Sequence, residues 1–278
     1  MRRLSLLFLA AAVPAAAAAA SVVRFDPLQG LVEVEAVIDG HAKGRFGIDT
    51  GADHFYIDSA FAAAHGLNLA SGRPSRAVVG IDGHSTAIAG QVRSLEIGDE
   101  RLYNLDAIVM DIGALVKDDR ADPPDGLIGY SLLRRFYVTV DYPNRRLILQ
   151  QTEPDFLQSG GLPSVPFETK GHLVVVQATF DDSATAPMAL DYCASYVAVS
   201  PALAERLGVP AAAERTILGR LSLGGLITTD SVAVGIADIS PIKARLRDAA
   251  FEGLIGASFL YRHKITIDYR RGRIYVHR

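Results

Sequence analysis

Two stretches of partly alternating β-branched and polar residues, "LVEVEAVID" from Leu31 and "LVVVQATFD" from Leu173, each pass through a turn into a second apolar run. That run ends on an aspartate in both places, Asp49 in one and Asp191 in the other. Period-two patterning of this kind predicts half-buried strands, so each stretch reads as a hairpin feeding a carboxylate. The segments that follow, "DSAFAAAHGL" and "SPALAERLGV", predict short helices capped by Asp58 or Ser200 and stopped by Gly66 or Gly208. Further strands are predicted at "RAVVGI", "STAIAGQVRSLEIG", "AIVMDI", "YVTVDY" and "RLILQQ", and "KITIDY" and "RIYVHR" repeat the last two. The pattern is that of an all-β chain with a few short helices.

It is also a pattern written twice. The block from Leu31 aligns without a gap to the block from Leu173, a shift of 142 (173 − 31) that carries Asp49 onto Asp191. A second block, "GLIGYSLLRRFYVTVDYPNRRLIL" from Gly126, aligns to "GLIGASFLYRHKITIDYRRGRIYV" from Gly253 with a shift of 127 (253 − 126). The second copy therefore lacks 15 residues (142 − 127) between its blocks. Two anchored blocks in the same order predict two versions of one lobe. The Pro- and Gly-containing segment "QTEPDFLQSGGLPSVPFETKG" reads as the linker, with the boundary near Gly160, giving a first lobe over residues 21–160 and a second over 161–278.

Composition narrows the class of partner. With 49% hydrophobic and 21% charged residues among 278, the chain has apolar material for a substantial core. A formal net charge of -3, dispersed along the chain, gives no reason to expect nucleic acid or an anionic membrane surface as partner. Residues 1–20 have the layout of a secretory signal peptide: Arg2 and Arg3, an apolar stretch, then small residues. Cleavage is expected near Ser21, releasing the chain to a periplasmic location without stable membrane insertion. Cys193 is the only cysteine, so packing alone must hold the protein.

In "RFGIDTGADHFYID", residues 45–58, Asp49 follows an apolar run, where a charged group needs a partner or a use. A duplicated lobe suggests the partner: Asp49 and Asp191 meeting across a pseudo-two-fold axis. Two adjacent carboxyls hold one proton between them, which supplies a general base and a general acid together. A water between them can lose a proton to the ionised member while the protonated member polarises a peptide carbonyl.

"DTGAD" at residues 49–53, followed by "GLIG" at residues 126–129, resembles the aspartic peptidase superfamily. The first half is similar to retropepsins, and the two-lobed plan resembles the pepsin-type arrangement. The resemblance covers nearly all of the chain after the leader. It implies a duplicated acid-protease barrel fold, a peptide or protein substrate, and a monomer that works as an intramolecular pseudo-dimer. Asp49 and Asp191 would be the catalytic carboxyls. Thr50 would brace the active loop across the lobe interface, and Gly51 would let backbone N–H groups approach the carboxylates. Ile128 and Gly129 would lie beneath the first loop, and Ile255 and Gly256 beneath the second. A flap over the substrate fits "VVGIDGHSTAIAG", with Gly80, Ile81, Asp82 and Gly83 at its turn. In the second half, "ILGRLSLGGL" reads as a vestige of the same hairpin. Alanine at positions 52 and 194, where some relatives carry a hydroxyl, implies a pH optimum less acidic than pepsin-like digestion.

The second loop departs from the pattern, reading Asp191-Tyr192-Cys193-Ala194-Ser195. Tyr192 cannot reproduce a threonine brace in the same space. Cys193 replaces a glycine, at a cost of about 1–2 kcal/mol if the position requires positive φ. Beside two carboxylates its thiol is a poor nucleophile, so no catalytic role is assigned to it. Three alternatives stay open: a peptide-binding protein on an inactive peptidase fold, a peptidase formed by two first lobes from separate chains, and a structural β-rich domain whose two aspartates lie far apart. No G-x-S-x-G elbow, H-E-x-x-H pair, P-loop or dinucleotide fingerprint is present, and no metal or cofactor is expected.

Overall fold

The computed structural model describes residues 20–27, 31–67, 74–79, 84–115, 123–210, 215–246 and 250–277. The expected signal segment lies outside them except for Ala20, and so do all four residues of the expected flap turn, Gly80 to Gly83.

The first half begins with β1 (Ser21–Arg24). The hairpin of β2 (Glu33–Ile38) and β3 (Ala42–Ile48) turns at Asp39 and Gly40, both at positive φ, and delivers Asp49. β4 (Phe55–Asp58) runs into α1 (Ser59–Ala64), where the Asp58 carboxylate accepts the N–H groups of Ala60 and Phe61. β5 (Pro74–Val79), β6 (His84–Ile97) and β7 (Glu100–Met110) form an antiparallel ribbon. β8 (Gly126–Ile128), α2 (Tyr130–Leu133), β9 (Tyr137–Asp141) and β10 (Arg146–Gln150) complete the half.

The segment read as a linker holds structure of its own: α3 (Asp155–Gln158), β11 (Ser164–Pro166) and β12 (Glu168–Lys170). β13 (Leu173–Phe180) and β14 (Ala184–Leu190) form the second hairpin, which delivers Asp191. β15 (Val197–Val199) leads to α4 (Pro201–Arg206), capped by the Ser200 hydroxyl accepting the Leu203 N–H. Then come β16 (Arg215–Leu223), β17 (Ile227–Ile236), α5 (Ser240–Leu246), β18 (Gly253–Ile255), α6 (Ala257–Leu260), β19 (Lys264–Asp268) and β20 (Arg273–His277).

Each half closes a six-stranded barrel. In the first the order is β2-β3-β8-β4-β7-β6, closed by β6 returning to β2; in the second it is β13-β14-β18-β15-β17-β16, closed by β16 returning to β13. The fold is thus the mainly β, duplicated two-lobed, retropepsin-like architecture expected from the repeat. Inward-facing side chains such as Ile38, Phe46, Phe55 and Leu95 fill the first barrel, and Phe180, Leu190, Val199 and Leu221 fill the second; all are buried in one hydrophobic core that runs through both lobes.

A third sheet, β1-β10-β9-β19-β20-β11, takes its outer and inner strands equally from both halves. Its centre is the antiparallel pair β9–β19, and β1 on β10 is matched by β11 on β20. The duplication therefore starts earlier than Leu31: Phe25 packs edge-on to Tyr142 at 5.5 Å, and Phe167 packs edge-on to Tyr269 at 6.1 Å, with each member 142 or 127 positions from its counterpart.

The registers also locate the 15 absent residues. Tyr56 of β4 faces Ile108 of β7, and Ala198 of β15 faces Gly235 of β17, so β16 and β17 are the counterparts of the inner part of β6 and of β7. The stretch "ILGRLSLGGL" is therefore barrel wall, and the expectation that it is a vestigial flap is corrected. Among the described residues, β5 and the outer end of β6 have no equivalent in the second lobe. A hairpin projecting from a closed barrel can be lost without breaking its hydrogen-bond circuit, whereas β16 cannot, since it bonds β13.

Candidate active site

Asp49 and Asp191 emerge from the ends of β3 and β14 into two loops with matching backbone bonds. The Asp49 N–H donates to Ile128 O and the Asp191 N–H to Ile255 O, both at 3.0 Å. The Tyr130 N–H donates to Ala52 O at 2.9 Å, and the Ala257 N–H donates to Ala194 O at 2.8 Å. Gly129 and Gly256 make this underpinning possible by close approach: a Cβ on Gly129 would lie 2.2 Å from His54 O, and one on Gly256 would lie 2.3 Å from Tyr196 O. Both distances are far inside van der Waals contact.

The two carboxyls come together over Gly51. A Cβ there would stand 2.9 Å from Asp191 Oδ2 and 3.2 Å from Asp49 Oδ1. Asp49 Oδ1 accepts the N–H groups of Gly51 at 2.8 Å and Ala52 at 3.0 Å, and Asp191 Oδ1 accepts the Cys193 N–H at 2.8 Å. Asp49 is buried and Asp191 partly so. Burial, and then the neighbouring Asp191 charge, push the Asp49 carboxyl well above the usual carboxylate range, against the pull of its two N–H donors. Asp191 is raised by burial and drawn back by the Cys193 and Ala194 N–H groups and by a hydrogen bond with Asp49. The arrangement favours one proton shared by the pair, so that one carboxyl is protonated while the other is ionised.

Thr50 ties the lobes: its hydroxyl donates to Leu190 O at 2.8 Å and accepts the Tyr192 N–H at 3.2 Å. The Tyr192 side chain takes no part, because its ring is fully buried 6.0 Å from that of Tyr142. Tyr192 is not a strained intruder, and neither is Cys193: the only non-glycine residues at positive φ among the described ones are Asp39, Asn104, Arg145, Asp181, Asp182 and Ser231. The conditional backbone cost assigned to Cys193 therefore does not arise. The glycine at position 51 answers to crowding by two carboxyls and not to φ.

One side chain at the site carries no mark in the sequence. His172, in the turn before β13, reaches across the interface so that Nε2 lies 2.8 Å from Gly51 O. Its partner is a backbone carbonyl, which no residue-type pattern can announce, and it sits just ahead of the repeat as read from Leu173. Beneath the loops three tyrosines converge. Burial raises the hydroxyl pKa of Tyr142, Tyr192 and Tyr269, and the Tyr192 and Tyr269 hydroxyls have no hydrogen-bond partner among the described residues. Among those residues, no group of three or more His, Cys, Asp or Glu side chains is placed to hold a metal, and no helix is long and apolar enough to cross a membrane.

An aspartyl protease family model matches residues 34–132 and again residues 176–259, one match in each lobe. Among solved structures, a retropepsin-like aspartic protease from Rickettsia conorii is similar at 23% identity over 47% of this chain and 89% of its own, with a TM-score of 0.36. No curated protein matches the chain.

Proposed function

The chain belongs to the aspartyl protease family, and from that premise we propose that it is an exported endopeptidase whose Asp49 and Asp191 act as one dyad on a peptide bond. The observation that carries this reading is the meeting of both carboxyls over Gly51, with Asp49 raised by burial and by its neighbour's charge. In this reading ionised Asp191 takes a proton from a water held between the two, while protonated Asp49 hydrogen-bonds the scissile carbonyl oxygen. The water oxygen bonds to the carbonyl carbon, and Asp49 passes its proton to the oxygen as the tetrahedral intermediate forms. Asp191 then gives that proton to the amide nitrogen as the C–N bond breaks, and Asp49 takes a proton back from one hydroxyl of the intermediate, releasing the carboxylic acid and restoring the starting pair. No metal or cofactor enters the scheme.

The arms of β5 and β6, paired from Val79 opposite His84 back to Pro74 opposite Ile88, support a flap on the first lobe alone. An active site built from two first lobes of separate chains is disfavoured, since the β9 edge that such a pair would use is already occupied by β19. The proposed working unit is therefore the single chain, with a peptide or protein as substrate and a periplasmic location after leader removal.

The test is cleavage of a mixed peptide library between about pH 3 and 8 by the mature chain, its Asp49→Asn and Asp191→Asn variants, and the wild type with a pepstatin-type inhibitor. Loss of cleavage in both variants supports one dyad. Loss in Asp49→Asn alone would assign Asp191 a structural role, and no cleavage by the wild type would leave peptide binding as the function. Amino-terminal sequencing of the protein from a periplasmic fraction tests the export step.

A further inference from the structure

The brace between the lobes is lopsided, and the duplication makes the asymmetry readable. Thr50 donates to Leu190 O, the carbonyl just before Asp191. Leu190 corresponds to Ile48, so the reciprocal bond would run from residue 192 to Ile48 O. Tyr192 has its side chain turned into the core and leaves that acceptor to its neighbour: the Cys193 thiol lies 3.6 Å from Ile48 O. The thiol fills room left by Gly47, where a Cβ would stand 3.1 Å from Sγ; the second lobe has Ala189 at the equivalent place. A second donor comes from the same lobe, with His172 Nε2 at 2.8 Å from Gly51 O. The first-lobe position aligned with His172 is Gly30, which has no side chain to return the contact.

We propose that His172 and Cys193 are positioning residues through which the second lobe holds the first active loop, in place of the threonine that its own loop lacks. The proposal rests on the dyad reading above. Ile48 O and Gly51 O lie on either side of Asp49 along the chain, so donors to both fix the peptide planes that set the direction of its carboxyl. The imidazole N–H is the stronger donor and carries the larger share, while the S–H bond is weak and works mainly by excluding other arrangements. Misplacing a reacting group by about 1 Å can cost a hundredfold in rate, so small displacements of this loop register in turnover.

The experiment compares His172→Ala with His172→Gln, whose amide nitrogen can replace Nε2, and Cys193→Ala with Cys193→Ser, which keeps a hydroxyl donor. Expected is a fall in kcat of about tenfold for His172→Ala and a smaller fall for Cys193→Ala, each with KM changed by less than about twofold and most of the loss regained in the Gln and Ser variants. Alanine variants that turn over like wild type, or Gln and Ser variants as slow as alanine, would overturn the proposal. A second readout needs no turnover: the chain has one cysteine, so its Raman S–H stretch is a single band, expected at lower frequency in the native protein than after unfolding in urea. A native band at the unfolded position removes the thiol from the brace. If cleavage survives Asp49→Asn, the dyad reading fails by itself, and the band still reports on the brace.

Discussion

Thr139 and Thr266 face each other at the centre of the interlobe sheet, hydroxyl to hydroxyl at 2.6 Å, and each is the other's counterpart in the repeat. In the β9–β19 register Thr266 pairs with Thr139, flanked by Lys264 opposite Asp141 on one side and Asp268 opposite Tyr137 on the other. Residues 137 and 264 are likewise counterparts, as are 141 and 268. The pseudo-two-fold axis therefore passes between the two threonines, and the same axis relates the two aspartates of the site.

Both threonines are buried, and Thr266 also contacts Nε2 of His277 at 2.8 Å, a ring that burial and then the Lys264 charge push down to about 4. Removing one hydroxyl takes a partner from the other, whereas removing both leaves only the His277 ring short of one. Thr139→Val is expected to cost about 1–2 kcal/mol, and the double substitution with Thr266→Val to cost less than the sum of the singles by about 1 kcal/mol. Urea unfolding of the four proteins measures the coupling, and additive singles would contradict it.

A raised carboxyl pKa makes stability depend on pH with a definite sign. In the folded state Asp49 holds its proton more tightly than in the unfolded chain, where its pKa is near the ordinary 3.8. Its contribution is fully present below that value and is lost as pH rises through the raised folded value. Asp49→Asn removes a group that ionises freely only in the unfolded chain, so it is expected to stabilise the protein at neutral pH, with the gain shrinking as pH falls toward about 4. Thermal unfolding from pH 4 to 7 checks this, and a gain that grows toward acid would refute the assignment.

In the proposed dyad the same raised value would set where cleavage ends on the alkaline side. Ala52 gives Asp49 only a backbone N–H, at 3.0 Å. A hydroxyl there would add a donor to the ionised form and lower the pKa. Wild-type kcat/KM is expected to hold to a less acidic pH than that of Ala52→Ser, whose alkaline limb should move down in pH. An unmoved limb would show that the Ser hydroxyl does not reach the carboxyls, and a wild-type optimum below about pH 3 would oppose the raised pKa itself.

Gly129 and Gly256 leave no room for a methyl group, since a Cβ would press on His54 O or Tyr196 O of the loop above. Gly129→Ala and Gly256→Ala are each expected to destabilise by at least about 1–3 kcal/mol, the usual cost of overpacking, and to slow cleavage. Alanine at Gly40, whose Cβ would meet nothing within 4 Å, isolates the effect of backbone strain at φ 75 from that of crowding.

Tyr192 is fully buried with a hydroxyl that no described residue bonds. Deleting the oxygen removes an unrewarded desolvation, so Tyr192→Phe is expected to leave stability unchanged or to raise it by about 1 kcal/mol. A loss above about 2 kcal/mol would mean that the hydroxyl has a partner such as a buried water.

The lobes, the hairpins and the helix caps at Asp58 and Ser200 were legible because each rests on local signals: alternation, cap chemistry and a gap-free repeat. The pairing of Asp49 with Asp191 was legible for a different reason, as the repeat itself sets them in the same register. β11 and β12 were hidden in a segment rich in Pro and Gly, since strands of three residues carry too little pattern to outweigh their turn-forming neighbours. The shortened region of the second lobe was misread because a length difference does not say which strand was deleted; hydrogen-bond registers do. His172 and the Cys193 thiol escaped because their acceptors are main-chain carbonyls from the other lobe, and such contacts depend on tertiary placement alone.

The strand order of the interlobe sheet also fixes a sequence of events in folding. Among the described strands β11 bonds only β20, with Ser164 opposite Tyr275, and β9 bonds β19, so strands from the middle of the chain wait for partners made near its end. A chain growing from its amino terminus can close the first barrel early, yet it carries two unsatisfied strand edges until the final two strands emerge. Those edges are templates for pairing with other chains, and such long-range closures form slowly. Truncation just ahead of β19 should therefore make the chain aggregate even though the first barrel is complete.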